Sequence, residues 1–242
     1  MYQHFSSVYD QLMDDAPYDE WLSYTRDYLK PGASVLDLAC GTGTFTIELA
    51  KSGFQVQGVD ISLDMLTIAD AKARSANLQI PFVQQDMRTL EGFHELDGVI
   101  IFCDGLNYLH DEESVVQTFN RIFQTLRSRG EFLFDVHSPY KMEEIFNNQM
   151  YGENGEDVSY IWFSEQGDAP LSVHHIMTFF KLNGAGTYDR FDEEHYQRTF
   201  GPDKYERMLR SAGFTDIVMT SAFGREDIKE ESDRIFFRAK KK

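Results

Sequence analysis

Val35–Thr46 reads VLDLACGTGTFT, and Val56–Asp60 reads VQGVD. An apolar run ends in Asp37, a glycine-rich turn follows at Gly41-Thr42-Gly43, and a helical pattern then begins. A second apolar run ends in Asp60. The order is strand, turn, helix, strand, the arrangement of a nucleoside-binding α/β unit. Glycine opens backbone conformations closed to other residues and lets a ligand approach the main chain. The start of the next helix offers unpaired N–H groups and a partial positive charge. A dinucleotide fold would read G-x-G-x-x-G, its third glycine serving close helix–strand packing. Gly41-Thr42-Gly43-Thr44-Phe45-Thr46 lacks that third glycine. Asp37, four residues before Gly41, would repel a pyrophosphate and suits a ligand carrying an ammonium and a sulfonium.

The segment resembles motif I of the class I (Rossmann-like) S-adenosylmethionine-dependent methyltransferases, D/E-x-G/A-x-G-x-G. Asp37, Ala39, Gly41 and Gly43 stand at its four defining positions. The resemblance implies that Asp60, beside Ile61, binds the ribose hydroxyls. It implies that Asp86 of Gln85-Asp86-Met87 faces the adenine amino group. Asp104-Gly105-Leu106-Asn107-Tyr108 follows the fourth strand. Leu126–Phe134 is similar to the family's turn into strand five, with Ser128-Arg129 in place of Pro-Gly. Tyr9-Asp10-Gln11-Leu12-Met13 resembles the opening of the small bacterial YqeM-like group, which implies that Tyr9 borders the cofactor; Tyr18 is the other tyrosine expected to close over it. The cofactor set implied is therefore Tyr9, Asp37, Ala39, Gly41, Gly43, Asp60, Ile61, Asp86, Met87 and Cys103, and the cofactor is S-adenosyl-L-methionine. The likeness is strong over Ser34–Val136 and loose beyond.

The 242 residues suffice for one large α/β domain with a small appended lobe. A net charge of −17, from 23 basic and 40 acidic residues, disfavours phosphate backbones and anionic lipid as partners. The basic run Arg238–Lys242 reads as a solvated tail. Cys40 and Cys103 lie at expected strand ends and read as free thiols of a reduced cytosol. The first residues, MYQHFSSVYDQLMDD, lack a signal pattern, and no apolar run approaches the ~20 residues that span a bilayer. The expectation is a cytoplasmic protein, a monomer or homodimer, without nucleic-acid or membrane partners.

Residues 1–30 read as an N-terminal helical lid, broken at Ala16-Pro17. From Ser34, strands are expected near 34–39, 54–60, 80–85, 96–103 and 130–137, with helices near 44–52, 62–76 and 112–127. Val115, Val116, Phe119, Ile122, Phe123 and Leu126 form an apolar stripe at helical spacing. Alternating elements predict a doubly wound, mostly parallel seven-stranded sheet, its last strand antiparallel. A short helix is expected over 140–150. Val158–Ser164, Leu171–Leu182 and Tyr188–Phe200 then alternate between Gly-containing turns and predict an antiparallel β-meander inserted after strand five. Helix resumes near 202–212, and last strands fall near 214–221 and 233–240. The divisions are 1–30 lid, 31–138 cofactor-binding core, 139–200 insertion over the substrate site, and 201–242 remainder of the core.

Ligands of open α/β sheets lie outside the carboxyl ends of the strands. Asp104, Asn107, Tyr108, His110 and His137 are placed there. In the insertion, period-two alternation puts Glu193, His195 and Gln197 on one face and Asp192, Glu194, Tyr196 and Arg198 on the other. His195, Asp104 and Tyr108 are the candidate catalytic residues, for a reaction that needs alignment of a nucleophile with the methyl carbon and, in some cases, a base. His174 and His175 face opposite ways, and no CxxC, HxxxH or HExxH pattern is present, so no metal is expected. The loop Cys103-Asp104-Gly105-Leu106 departs from the Asn/Asp-Pro-Pro-Tyr/Phe of methyltransferases acting on adenine or glutamine. These features point to methyl transfer to an oxygen or nitrogen of a small-molecule acceptor. The alternatives are a catalytically silent S-adenosylmethionine-binding module and a nicotinamide-dependent oxidoreductase.

Overall fold

The structure is a computed structural model that describes residues 5–242. Residues 1–4, the start of the expected lid, lie outside the described residues. Two short helices open the chain, α1 (Ser6–Leu12) and α2 (Tyr18–Tyr28). Then come β1 (Ser34–Leu38), α3 (Thr44–Lys51), β2 (Gln55–Asp60), α4 (Leu63–Ser75), β3 (Phe82–Gln84), β4 (Leu96–Ile101), α5 (Glu112–Thr125) and β5 (Leu126–His137). A second sheet follows, β6 (Gln149–Asn154), β7 (Val158–Gln166), β8 (Ser172–Leu182) and β9 (Tyr188–Arg198). The chain closes with α6 (Pro202–Ser211), β10 (Thr215–Thr220) and β11 (Arg234–Lys240).

The main sheet has seven strands in the order β10-β11-β5-β4-β1-β2-β3. Its strands are parallel except β11, which runs antiparallel to both β5 and β10. Parallel strands buried on both faces need apolar residues on both sides, and β5 supplies them. Phe132, Phe134 and Val136 pack under α5 and α6, while Leu133 faces α2 and α3. Val115, Phe119 and Ile122 fill the first of these layers, as the helical stripe predicts. On the other face Trp21 and Tyr24 of α2 meet Phe45 of α3 and Phe236 of β11. Ser62 caps α4 through Met65 N–H, and Asp111 caps α5 through Ser114 N–H.

The strand order reverses between β1 and β4, which pair directly (Asp37 opposite Ile100). The turn after β1 and the loop after β4 therefore emerge side by side. They also touch, since a Cβ on Gly105 would meet Ala39 Cβ at 2.9 Å. Ala39 (φ +65°), Cys103 (φ +51°) and Asp104 (φ +54°) all hold left-handed backbone. That conformation is strained for residues with a Cβ and tends to mark ligand clamps.

The insertion differs from expectation in one element. The helix expected over 140–150 is only a π-type turn at Lys141–Ile145, after which β6 adds a fourth strand. Met142 and Phe146 carry the helical spacing and do pack together, on Val173 of β8. The sheet continues because β6 pairs with β7 from Gln149–Ser164 to Asn154–Ser159, a partnership that local spacing cannot reveal. The second sheet is wholly antiparallel, β6-β7-β8-β9. It reaches α1 and α4 through Phe179, which packs with Phe5, Val8 and Met65. No helix among the described residues is long and apolar enough to cross a membrane.

Candidate active site

A cleft of about 650 Å³ runs along the carboxyl ends of β1, β2 and β4 and under β9. Of the residues proposed from sequence, Tyr9, Ala39, Gly41, Asp60, Ile61, Asp86, Met87, Cys103, Asp104, Tyr108 and His195 line it. Asp37 instead lines a hollow of about 40 Å³ behind it, shared with Tyr9, Tyr18 and Thr42. Gly43 lines neither. A Cβ there would fall 2.8 Å from Ala69 Cβ and 3.1 Å from the Phe82 ring, so this glycine lets α3 start close against α4. Gly41 is different. Its φ is +54°, and among the described residues the only atom near a Cβ would be Tyr9 Cε1 at 3.8 Å.

Asp37 is buried and accepts a 2.6 Å hydrogen bond from Thr46 Oγ1 of α3. Burial, opposed by that bond and helped by Asp60, raises its carboxyl to about 7. Asp60 accepts from Gly41 N–H at 2.8 Å through one oxygen and from Ser62 N–H at 2.8 Å through the other. A carboxylate oxygen can accept twice, so each retains capacity for a hydroxyl. Burial raises Asp60 above the ordinary carboxylate range against these bonds. Asp86 is held by Arg88, whose Nε lies 3.0 Å from both of its oxygens, and the hydrogen bond keeps the acid below its usual range.

Asp104 has four polar partners among the described residues. Its N–H donates to Asp135 Oδ1 at 2.9 Å. Its side chain accepts from Gln197 Nε2 at 2.7 Å and from an Arg234 nitrogen at 3.0 Å, with His137 Nε2 at 3.5 Å. Burial would raise this carboxyl; His137, Arg234 and Lys141 override it and hold the group well below the usual range. Asp104 is therefore an ionised, fixed acceptor and a poor base. Arg234 is shared with Asp135, which also takes Trp21 Nε1–H at 2.6 Å.

The alternation on β9 places Glu193, His195 and Gln197 inward and buried, while Asp192 and Glu194 are exposed. His195 packs on Phe5, with ring centroids 4.9 Å apart, and its Nδ1 lies 3.3 Å from Tyr108 Oη. Burial lowers its ring below the ordinary histidine range. Three other candidates have structural duties. Asn107 is fully buried, donating to Arg198 O at 2.8 Å and accepting from His137 N–H at 3.0 Å. His110 bonds Tyr196 O at 3.1 Å. His137 lies beneath the cleft, beside Asp104. His174 and His175 do face opposite ways: His174 approaches Glu194 at 3.3 Å, whereas His175 is buried and accepts from Trp162 Nε1 at 3.0 Å.

The sequence reading missed a clasp over the glycine-rich turn. Lys72 Nζ of α4 reaches Asp10 Oδ2 of α1 at 2.7 Å and Thr44 Oγ1 at 2.5 Å, and Thr42 Oγ1 bonds Asp10 at 2.5 Å. Phe5, Met13 and Arg88 also line the cleft unforeseen. Arg234 was missed as well, although an arginine opening the apolar strand Ile235-Phe236-Phe237 is a signal of buried pairing.

Comparison with known proteins gives consistent relationships. Residues 35–130 match the methyltransferase domain family. The chain is 46% identical over its whole length to YqeM of Bacillus subtilis (strain 168), designated a methyltransferase with no acceptor given, covering 97% of that protein. It is 48% identical over 99% of its length to a protein of Geobacillus sp. (strain WCH70) with the same designation, again covering 99% of it. A crystal structure of an S-adenosylmethionine-dependent methyltransferase from Clostridium acetobutylicum superposes with a TM-score of 0.87 at 27% identity, covering 99% of this chain and 98% of that one.

Proposed function

The chain belongs to the S-adenosylmethionine-dependent methyltransferases, within the YqeM-like group, and on that premise we propose that it transfers the methyl group in line to an oxygen or nitrogen of a small-molecule acceptor. One observation carries this reading: a single cleft joins Asp60 and Gly41 at one end to His195 and Tyr108 at the other. Donor and acceptor sites then share one enclosure, which supplies alignment and excludes water.

The donor end suits the cofactor on chemical grounds. The open space at Gly41 admits a ligand against the backbone. Asp37 is a buried carboxyl with no cation among its close partners in the described residues, and an ammonium beside its hollow would restore its charge. Asp60 is placed to accept from a ribose diol, and Ile61, Asp86 and Met87 to surround an adenine. Tyr9, Ala39 and Cys103 border both hollows, where the sulfonium would lie between them. The cofactor supplies an activated methyl group on a good leaving group.

His195, neutral and buried, takes the acceptor's proton, with Tyr108 orienting its ring. Asp104 keeps its charge and fixes Gln197 and the β9 wall. Cys40 and Cys103 are free thiols, in keeping with a reducing cytoplasm.

The test is calorimetry with S-adenosylmethionine, S-adenosylhomocysteine and NAD, followed by a turnover screen against pooled metabolites. The adenosyl ligands bind and NAD does not; His195→Ala then lowers turnover at least tenfold while cofactor affinity stays within about threefold, ~0.7 kcal/mol. Binding of NAD in their place would remove the reading.

A further inference from the structure

We infer that Gln197 is a positioning residue for His195, the middle of a one-way chain of hydrogen bonds that pins β9 to the loop carrying Tyr108, a role that rests on the methyl-transfer reading above. Gln197 is buried on the inward face of β9 and does not line the cleft. The chain starts in β7, where Trp162 Nε1–H donates to His175 Nδ1 of β8 at 3.0 Å. Burial lowers the His175 ring to about 4, against the pull of its hydrogen bond to Gln197, so the ring is neutral near pH 7. A neutral ring that accepts at Nδ1 carries its proton on Nε2, and that N–H is the donor to the Gln197 oxygen. Gln197 Nε2 in turn donates to Asp104 Oδ2 at 2.7 Å.

The sense of the chain is fixed from both ends. An indole N–H can only donate, and an ionised carboxylate can only accept. The amide between them has one arrangement that serves both neighbours, nitrogen towards Asp104 and oxygen towards His175. Turned over, it would set oxygen against carboxylate and NH2 against N–H. Arg234 holds the other Asp104 oxygen at 3.0 Å, so the carboxylate does not swing.

What the chain holds in place is His195. This residue lies directly opposite His175 across β8 and β9, and two residues before Gln197 on the same inward face. Asp104 immediately precedes the turn Gly105–Tyr108, so its bond to Gln197 joins β9 to the segment that ends in Tyr108. Asn107 Nδ2 adds a second tie, to Arg198 O at 2.8 Å. Beside these short bonds, Tyr108 Oη stands 3.3 Å from His195 Nδ1, a long separation for a hydrogen bond. A contact that loose depends on how closely the two segments are held, and proton transfer depends on such geometry.

The experiment uses the full chain with nitrogen-15-labelled histidine rings, saturated with S-adenosylhomocysteine at pH 7.5, and reads long-range proton–nitrogen spectra of the rings. Wild-type His175 shows a bare Nδ1 and a protonated Nε2. Gln197→Leu keeps a side chain of similar size and loses the amide. The His195 ring nitrogens shift in this variant, and adding Tyr108→Phe then moves them less than roughly a third as far as it does alone, the non-additivity of groups that share one contact. On the acceptor found by the turnover screen, kcat falls about tenfold while KM for S-adenosylmethionine stays within about threefold. His175→Phe retains a ring against Phe146 and Trp162 and removes the donor to Gln197. It gives the same changes at roughly a third of the size, and covers the case in which Gln197→Leu does not fold. A wild-type His175 protonated on Nδ1 overturns the inference. So does either variant, folded with a lowered Tm, in which the His195 signals and their response to Tyr108→Phe are unchanged, since the amide would then serve stability alone. Failure of S-adenosylhomocysteine to bind, or full turnover by His195→Ala, would instead overturn the methyl-transfer reading.

Discussion

At the glycine-turn end of the cleft, Asp37 is buried and its carboxyl raised to about 7. At the meander end, His175 is buried and its ring lowered to about 4, with His137 and His195 lowered in the same direction. Burial is the leading cause in each case, since it penalises whichever form is charged. For an acid that is the deprotonated form, and for histidine the protonated one. The two ends consequently respond to pH with opposite signs. Asp37 holds its proton more tightly folded than unfolded, so its end is most stable below the carboxylate range and weakens as pH climbs to about 7. The histidines refuse a proton, so the meander is most stable above about 6.5 and weakens as pH falls towards 4. On the proposed reading, one end receives a positive ligand group beside a carboxyl, and the other keeps an uncharged base.

The contrast breaks first at Gly41. Gly41→Val adds a side chain facing the cleft on left-handed backbone, at roughly 1–2 kcal/mol of stability. Cofactor binding is lost beyond the range of titration, while the fold and the meander remain, checked by calorimetry alongside thermal unfolding. A variant that folds and binds normally would mean that the cofactor does not cross this turn.

Hydrogen exchange resolved by segment sharpens the comparison next. Between pH 7 and 5, after correction for intrinsic rates, protection of β8 and β9 should fall while that of β1 and α3 rises. Full expression of the His175 shift is roughly 3 kcal/mol, and His175→Phe should flatten the meander's response. Parallel changes at both ends would dissolve the distinction.

A smaller effect comes from Asp60→Ala. It removes acceptors for a ribose diol as well as the anchor of Gly41 N–H. The expected loss is ~1.5–3 kcal/mol, about one to two orders of magnitude in cofactor affinity. An unchanged dissociation constant would take Asp60 out of the site. The mildest change is Tyr108→Phe, which leaves the ring against His195 and removes only its hydroxyl. Turnover should drop about tenfold with cofactor affinity unaltered; a change in affinity alone would move Tyr108 to the donor end.

The main sheet was legible because parallel strands buried on both faces leave unbroken apolar runs, and turns of fixed spacing join them. β9 was legible by its period of two, which places Glu193, His195 and Gln197 inward as the residues alternate. β6 was not legible. Gln149–Asn154 is mostly exposed, carries Gly152, and owes its form to pairing with β7. Gly43 and Asp104 show the limit within a motif: residue type and spacing place both at the site's edge, whereas neighbours decide that one packs helices and the other is tied down as an ion. The Asp10–Lys72 pair joins residues 62 apart in sequence, beyond any local pattern.

That pair has a consequence for traffic. Tyr9 closes both the cleft and the hollow behind it, and the helix that carries Tyr9 is fastened to the glycine-rich turn by the ammonium of Lys72. On the proposed reading, Tyr9 stands beside a ligand seated against Asp37. Lifting that helix has to part Asp10 from Lys72 Nζ and from the hydroxyls of Thr42 and Thr44, while the Lys72–Thr44 bond, between α4 and α3, stays. Because Lys72 and Asp10 are only partly shielded from solvent, dissolved salt competes for both. On the proposed reading, the dwell time of a spent cofactor would then depend on ionic strength, at a point remote from the carbon that moves.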